Sequence, residues 1–376
     1  MKKIVFLSTM AFDSNVSIIK RLKEKYDLYT FFLCNTALEC LDKITLDKHI
    51  VSVKEESKFN PLASFLDFDK CFLVKHYPPT SLNRYVVAWK VYKRIAQINP
   101  DIIITDAQTF QYFFSRLIYR KRTISIVHDP FPHSGENTFT KRLIKGIQKH
   151  LSTKFLLLNE TQKEEFIKKQ GIPSHKVYTS FLSEYEFYHI FDNYSVTRKN
   201  NHFHLLFFGR ISPYKGISYL LEACSRLLDE GKSIEVTVAG KGTFDFDIKK
   251  YSQYKKIHII NEMIESQQMV NLIKDCDAVI CPYTDATQSG VIMTSYAFDK
   301  PVIATKVGGL PEMLNDGKTG YLIEPRNSES IYHAIMELME QKNQLDLYQT
   351  NIHEIYRKGA KNWDISINKI ISCIED

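Results

Sequence analysis

Four stretches of the 376-residue sequence combine residue types and spacings that could handle a phosphate-bearing ligand. In Phe207-Phe208-Gly209-Arg210-Ile211-Ser212-Pro213-Tyr214-Lys215-Gly216, two bases five apart follow an apolar run that ends on glycine. Arginine offers phosphate oxygens a planar fork, and lysine offers a point charge. The same two bases could also form no more than a solvated turn. Ala239-Gly240-Lys241-Gly242 follows a second apolar run. Its glycines either admit a ligand close to the backbone or simply turn the chain. The third stretch is Cys281-Pro282-Tyr283-Thr284-Asp285-Ala286-Thr287-Gln288-Ser289-Gly290-Val291-Ile292. A helix opening at Gly290 would aim free N–H groups and the positive end of its dipole at an anion. Ser289 reads equally well as a plain helix cap. The fourth runs from Pro301-Val302-Ile303-Ala304-Thr305 to Gly308-Gly309-Leu310-Pro311-Glu312.

Outside these stretches, His128 follows an apolar run and precedes Asp129-Pro130, with His133 as a second candidate. A histidine at a strand end can serve chemistry or simply be a satisfied structural group. Seven cysteines form no Cys-x-x-Cys pair. They fit buried free thiols in a reducing cytoplasm, with neither disulfides nor zinc. Asp245-Phe246-Asp247 has the spelling of a metal motif but sits in a polar stretch after the Gly240 turn. A solvated turn is the expectation, and no metal site is expected.

These residues need a scaffold. The composition, 44% hydrophobic and 25% charged, is that of a globular chain, long enough for two domains. Apolar runs alternate with helix-like stretches, which implies parallel sheets covered on both faces. The spacing predicts strands at 3–8, 27–33, 101–105, 123–127 and 154–158. Helices are predicted at 16–25, 82–97, 108–119, 140–150 and 161–170. The pattern pauses over 181–202 and resumes with strands at 204–208, 233–239, 257–260, 278–281 and 301–305. Helices at 216–230, 265–275, 290–299 and 328–340 lie between and after these. The fold class is α/β, with two doubly wound Rossmann-like domains facing each other across a cleft. The first domain is placed at 1–190 and the second at 191–359. Every candidate loop then falls at the carboxyl end of a strand, where such sheets bind ligands.

Charge is uneven. Residues 1–190 hold 29 Lys and Arg against 19 Asp and Glu, and residues 191–376 hold 21 against 24. The basic half suits phosphate or anionic lipid. Its bases are not arranged in a nucleic-acid motif, so no nucleic-acid partner is expected. The apolar start, Ile4 to Leu7, is too short for a signal peptide and reads as a first strand.

Taken together, the stretches resemble the nucleotide-binding half of a GT-B glycosyltransferase, family 4, the retaining type. Gly209-Arg210…Lys215, Pro301–Thr305 with Gly308–Glu312, and Gly317-Lys318-Thr319-Gly320-Tyr321-Leu322 carry the resemblance in order. Val127-His128-Asp129 and Leu158-Asn159-Glu160-Thr161-Gln162 resemble the family more loosely. The resemblance implies a diphosphate grip by Arg210 and Lys215, and His128 near the donor sugar. It implies donor contacts from Gly209, Gly240, Gln288, Ser289, Gly290, Val291, Ser295 and Glu312. Trp363 resembles the point where the last helix, 360–376, returns to the first domain. The sequence departs from the family's Glu-x7-Glu pattern, whose positions hold Thr287 and Ser295. The Gly-Gly loop common after the first strand is also missing, since the chain reads Ser8-Thr9-Met10-Ala11-Phe12-Asp13.

The resemblance implies metal-independent transfer of a sugar, with retention and without a cofactor. The donor is a nucleotide-diphosphate sugar, and the acceptor is a saccharide or lipid-linked saccharide of bacterial surface polysaccharide synthesis. An inactive partner-binding protein and a nucleotide-sugar epimerase are the alternatives. Residues 139–151 place Phe139, Leu143, Ile144, Ile147 and Leu151 on one helical face, with Lys141, Arg142, Lys145 and Lys149 largely off it. Salt-sensitive peripheral contact with the inner face of an anionic membrane is expected there.

Overall fold

The computed structural model describes residues 1–9, 11–34, 41, 44–106, 109–131, 150–193, 195 and 201–376. His133 and the stretch 139–149 lie outside them. The chain divides into two compact units. One runs through the described residues up to Phe181 and takes back Trp363–Asp376, and the other includes Leu182–Asn362.

The first unit holds an eight-stranded sheet. Its strands are β1 (Lys3–Ser8), β2 (Asp27–Cys34), β3 (Ile50–Ser52), β4 (Cys71–Lys75), β5 (Ile102–Thr105), β6 (Thr123–Val127), β7 (Lys154–Leu157) and β8 (Val177–Thr179). They lie in the order β3-β4-β2-β1-β5-β6-β7-β8, and only the β3–β4 pair is antiparallel. Val5, Leu7, Phe31, Val74 and Ile103 form a core with Val87, Val91 and Ile95 from the helix Asn83–Ile98. The helix Trp363–Glu375 packs on this unit. The Arg21 guanidinium lies 5.7 Å from the Trp363 ring, and Ser366 Oγ donates to the Phe181 carbonyl at 2.6 Å.

The second unit holds six parallel strands, β9 (Phe203–Phe208), β10 (Ile234–Ala239), β11 (Ile257–Ile260), β12 (Ala278–Cys281), β13 (Val302–Thr305) and β14 (Gly320–Ile323). Their order is β11-β10-β9-β12-β13-β14. The chain builds outward from β9 through β11 and then crosses back to lay β12 on the other side of β9. The order therefore reverses between β9 and β12, and the loops leaving their carboxyl ends border a crevice. The Tyr- and Phe-rich stretch after Leu182 joins this unit. Phe187 is fully buried, Tyr185 N donates to the Met293 carbonyl at 3.1 Å, and Gln267 Nε2 donates to the Phe191 carbonyl at 2.8 Å.

Expected and observed elements agree to within a few residues for most strands. The helix expected over 108–119 is a 3-10 turn, Phe110–Tyr112, followed by the short helix Phe113–Ile118. Strands β3, β4, β8 and β14 are additional to the sequence reading.

Candidate functional site

Three loops of the second unit converge where its strand order reverses. Strand β9 is buried along Leu205–Phe208 and ends at Gly209, whose φ is +112°. A Cβ on Gly209 would lie 3.5 Å from Val291 Cγ2, so the end of β9 faces the first turn of the helix Gly290–Ala297. Beyond Gly209 the backbone keeps pairing. Gly209 N donates to the Ala239 carbonyl at 3.0 Å, and Ile211 N to the Lys241 carbonyl at 3.1 Å. A Cβ on Gly240 would stand 1.9 Å from the Gly209 carbonyl oxygen. The glycine of the Gly240 turn is thus required by chain against chain, with no ligand needed to explain it.

Pro213–Lys215 form a single 3-10 turn, closed by Gly216 at φ +65°. Thr284 N donates to the Tyr214 carbonyl at 2.8 Å, which ties this turn to the loop after β12. That link sets Lys215 Nζ 3.7 Å from the centroid of the fully buried Tyr283 ring. A cation on an aromatic face gains about 0.5–2 kcal/mol. Tyr283 continues the chain of contacts, since Ser289 Oγ donates to its hydroxyl at 3.4 Å and Thr305 Oγ1 donates to its carbonyl at 2.6 Å.

Ser289 does not cap its helix. No side-chain cap bond is present at the start of Gly290–Ala297, and Ser289 N points at Met313 Sδ, 3.3 Å away. The first N–H groups of the helix therefore meet no hydroxyl from Ser289, which leaves the anion reading of this end intact. Met313 closes the four-residue helix Leu310–Met313, so half-buried Glu312 sits on an element joined to Ser289. Gly290 itself is exposed, but a Cβ there would lie 3.2 Å from the edge of the Tyr185 ring.

The expected residues thus fall into groups. Gly209, Lys215, Ser289, Gly290 and Val291 come together, with Arg210 exposed on the same loop as Lys215 and Gln288 half-buried beside Ser289. Ser295 is fully buried, and its hydroxyl donates to the Val291 carbonyl at 2.7 Å, so it is used inside the helix. Thr287 is 4% exposed. Asp247 accepts from Lys249 N at 3.0 Å and caps a one-turn helix, and no group able to hold a metal ion occurs among the described residues. His128 belongs to the first unit. It follows β6, is half-buried, and its Nε2 has no hydrogen-bond partner among the described residues.

Two residues here escaped the sequence reading. Tyr283 stood inside the third stretch, but an aromatic after a strand carries no signal of its own. Tyr185 lies more than a hundred positions before Gly290 in an aperiodic stretch, and only the fold brings them together.

Residues 202–341 match the family model described as glycosyl transferases group 1. Over 183 residues the chain is 30% identical to the lipopolysaccharide 1,2-N-acetylglucosaminetransferase of Salmonella typhimurium, covering 42% of this chain and 48% of that protein. A D-inositol 3-phosphate glycosyltransferase of Arthrobacter sp. is 31% identical over 129 residues, 32% of this chain and 31% of its own length. The chain thus spans half or less of these two curated relatives. The crystal structure of Anabaena Alr3699/HepE in complex with UDP-glucose superposes with a TM-score of 0.70 at 16% identity, covering 99% of this chain and 100% of that one. The chain therefore has two Rossmann-like α/β domains in the GT-B fold, and its residues 202–341 match the group 1 glycosyl transferases.

Proposed function

We propose that the protein is a glycosyltransferase that moves a sugar from a nucleotide-diphosphate donor, held by its second domain, to a saccharide or lipid-linked saccharide acceptor of surface polysaccharide synthesis. The observation that carries this reading is the convergence of the Arg210–Lys215 loop and the uncapped helix start at Gly290. Both stand at the strand-order reversal, inside the stretch that matches the group 1 family. Breaking a bond between a sugar and a diphosphate builds negative charge on the leaving phosphate. Fixed donors aimed at that charge lower the barrier, because they need no reorganisation at the moment of reaction. Lys215, steadied on Tyr283, supplies a point charge; Arg210 supplies a fork; the helix start supplies backbone N–H groups.

In this reading the reaction retains configuration and needs no resident metal, with the protein's cations bearing the leaving group's charge. The donor phosphate accepts the acceptor's proton in a front-face attack. Thr287 and Ser295 provide no carboxylate, so Gln288, Ser289 and backbone groups make the donor-sugar contacts. His128 Nε2 is available to the sugar or the transition state. The support from relatives is that the Salmonella protein is named lipopolysaccharide 1,2-N-acetylglucosaminetransferase.

A panel of nucleotide sugars incubated with lipid-linked and free saccharide acceptors tests the reading. A glycosylated acceptor and one equivalent of nucleoside diphosphate are expected. Interconversion of the nucleotide sugar with no acceptor present would instead identify an epimerase. No turnover with any donor would leave a protein that only binds a partner.

A further inference from the structure

Large apolar side chains that face solvent are not scattered over the molecule. Among the described residues ten are exposed, and six of them, Leu82, Tyr85, Val86, Trp89, Leu117 and Ile118, lie in or immediately before two helices of the first domain. Leu82 is 80% exposed and Trp89 48%. The first four stand at spacings of three, one and three, so they share one face at the start of the helix Asn83–Ile98. The opposite face, Val87, Val91, Ile95 and Ile98, is buried in the sheet core. A layer of half-buried rings connects the two helices. Tyr85 meets Phe110 at 4.9 Å between centroids, Trp89 meets Phe114 at 6.4 Å, and Phe110 stacks on Phe113 at 5.7 Å.

The charge along the two segments that carry the patch has one sign. Residues 70–100 contain six Lys and Arg and no Asp or Glu, and residues 107–128 contain four and none. Lys90, Lys93, Arg120, Lys121 and Arg122 are exposed. Arg84 lies 4.0 Å from the Phe110 centroid, and Lys93 Nζ lies 5.4 Å from that of Trp89. Long basic side chains resting their stems on rings while their charges reach outward suit a boundary between oil and anionic headgroups.

We propose that this aromatic and basic face of the first domain, centred on Leu82, Val86 and Trp89, docks on the surface of an anionic lipid bilayer. The charge pattern selects that occupant. A two-fold dimer through the patch would set each cluster of bases against its own copy. A bilayer offers apolar depth for Leu82 and Trp89 and a plane of negative charge for the bases around them. No helix among the described residues is long and apolar enough to span a membrane, so the contact is adhesion to one leaflet. The docking face lies on helices distinct from the 139–151 stretch that the sequence pointed to. The inference stands whether or not the chain transfers sugars.

Tryptophan fluorescence of the whole protein tests it directly. The chain has two tryptophans, Trp89 at the patch and Trp363, which is 2% exposed, so an emission change on adding lipid reports Trp89. Vesicles of one part phosphatidylglycerol to two parts phosphatidylcholine are expected to shift emission to the blue and to pellet the protein at low salt. Pure phosphatidylcholine vesicles, or about 0.5 M salt, should weaken both effects at least about tenfold. The triple variant Leu82→Ser, Val86→Ser, Trp89→Ser should lose pelleting by a similar factor while melting normally. Should it fail to fold, Arg120→Gln, Lys121→Gln, Arg122→Gln carries the same expectation at exposed sites. Variants Lys141→Gln, Arg142→Gln, Lys145→Gln should pellet like the wild type. Unchanged Trp89 emission with the anionic vesicles would overturn the proposal. So would loss of pelleting only in the 141, 142, 145 variant, or self-association through the patch in sedimentation without lipid.

Discussion

At the scale of single residues, the site depends on how its side chains are held. Lys215 rests on the buried Tyr283 ring, with its Nζ 3.7 Å from the ring centroid. His128 carries a buried nitrogen with no bond among the described residues. If that nitrogen meets the donor sugar or the transition state, His128→Ala lowers kcat about 10- to 100-fold while nucleoside diphosphate binding stays near wild type. Steady-state kinetics beside calorimetry checks this, and normal turnover would return His128 to a structural role. The cysteines offer a second check. Six are buried free thiols, with Cys40 outside the described residues. Burial pushes Cys281 up to about 11 and Cys34, Cys71 and Cys373 up to about 12. Folding thus favours the neutral thiols. Their stabilising contribution is complete below the unfolded value near 9 and falls away as pH rises toward those raised values. Iodoacetamide at pH about 8 is expected to modify at most Cys40 quickly in the native protein, and all seven after unfolding. Rapid modification of two or more native thiols would contradict the buried placement.

At the scale of elements, the site is a set of loops packed against one another, with Gly216 at one of the tight junctions. Its φ is +65°, and a Cβ there would stand 2.0 Å from the Pro282 carbonyl oxygen. Gly216→Ala is expected to cost more than about 2 kcal/mol and to loosen the Lys215 turn from the Tyr283 loop. Denaturant titration reads the stability loss, and a loss of donor affinity should accompany it. A variant as stable as the wild type would mean that this junction gives way easily. Most of this architecture was legible in the residues, because apolar runs such as Phe203–Phe208 and Ala278–Cys281 end at polar turns and leave no period to confuse. The strands that were missed had little to announce them. Ile50–Ser52 and Val177–Thr179 are three residues each, and Gly320–Ile323 opens on a glycine that pairs with Val302. Cys71–Lys75 is an apolar run of four closed by a lysine, too short to separate a strand from a buried turn. The stretch after Leu182 lacks a period for another reason. Its rings pack on helices far ahead in the chain, a long-range contact that local composition does not encode.

At the scale of the whole molecule, two α/β units share one chain, and the last helix returns to the first of them. That helix buries Trp363, Ile367, Ile370 and Ile374. Each fully buried large apolar side chain is worth about 1.5–3 kcal/mol, so together they rival the 5–15 kcal/mol that typically separates folded from unfolded domains. Ending the chain after Asn362 is expected to remove or sharply lower the melting transition of the first domain while that of the second persists. A calorimetric scan unchanged by the truncation would show that the helix contributes little. In the proposed function the second domain grips a diphosphate between Arg210, Lys215 and the start of the Gly290 helix. Titration calorimetry of nucleoside diphosphates into wild type and the Arg210→Ala, Lys215→Ala double variant tests it most directly. Each lost charge-assisted bond should cost ~1.5–3 kcal/mol, so the wild type should bind at least one nucleoside diphosphate and the folded double variant should bind it at least about 100-fold more weakly. Equal affinity in the two proteins, or no binding of any nucleoside diphosphate by the wild type, would contradict the account.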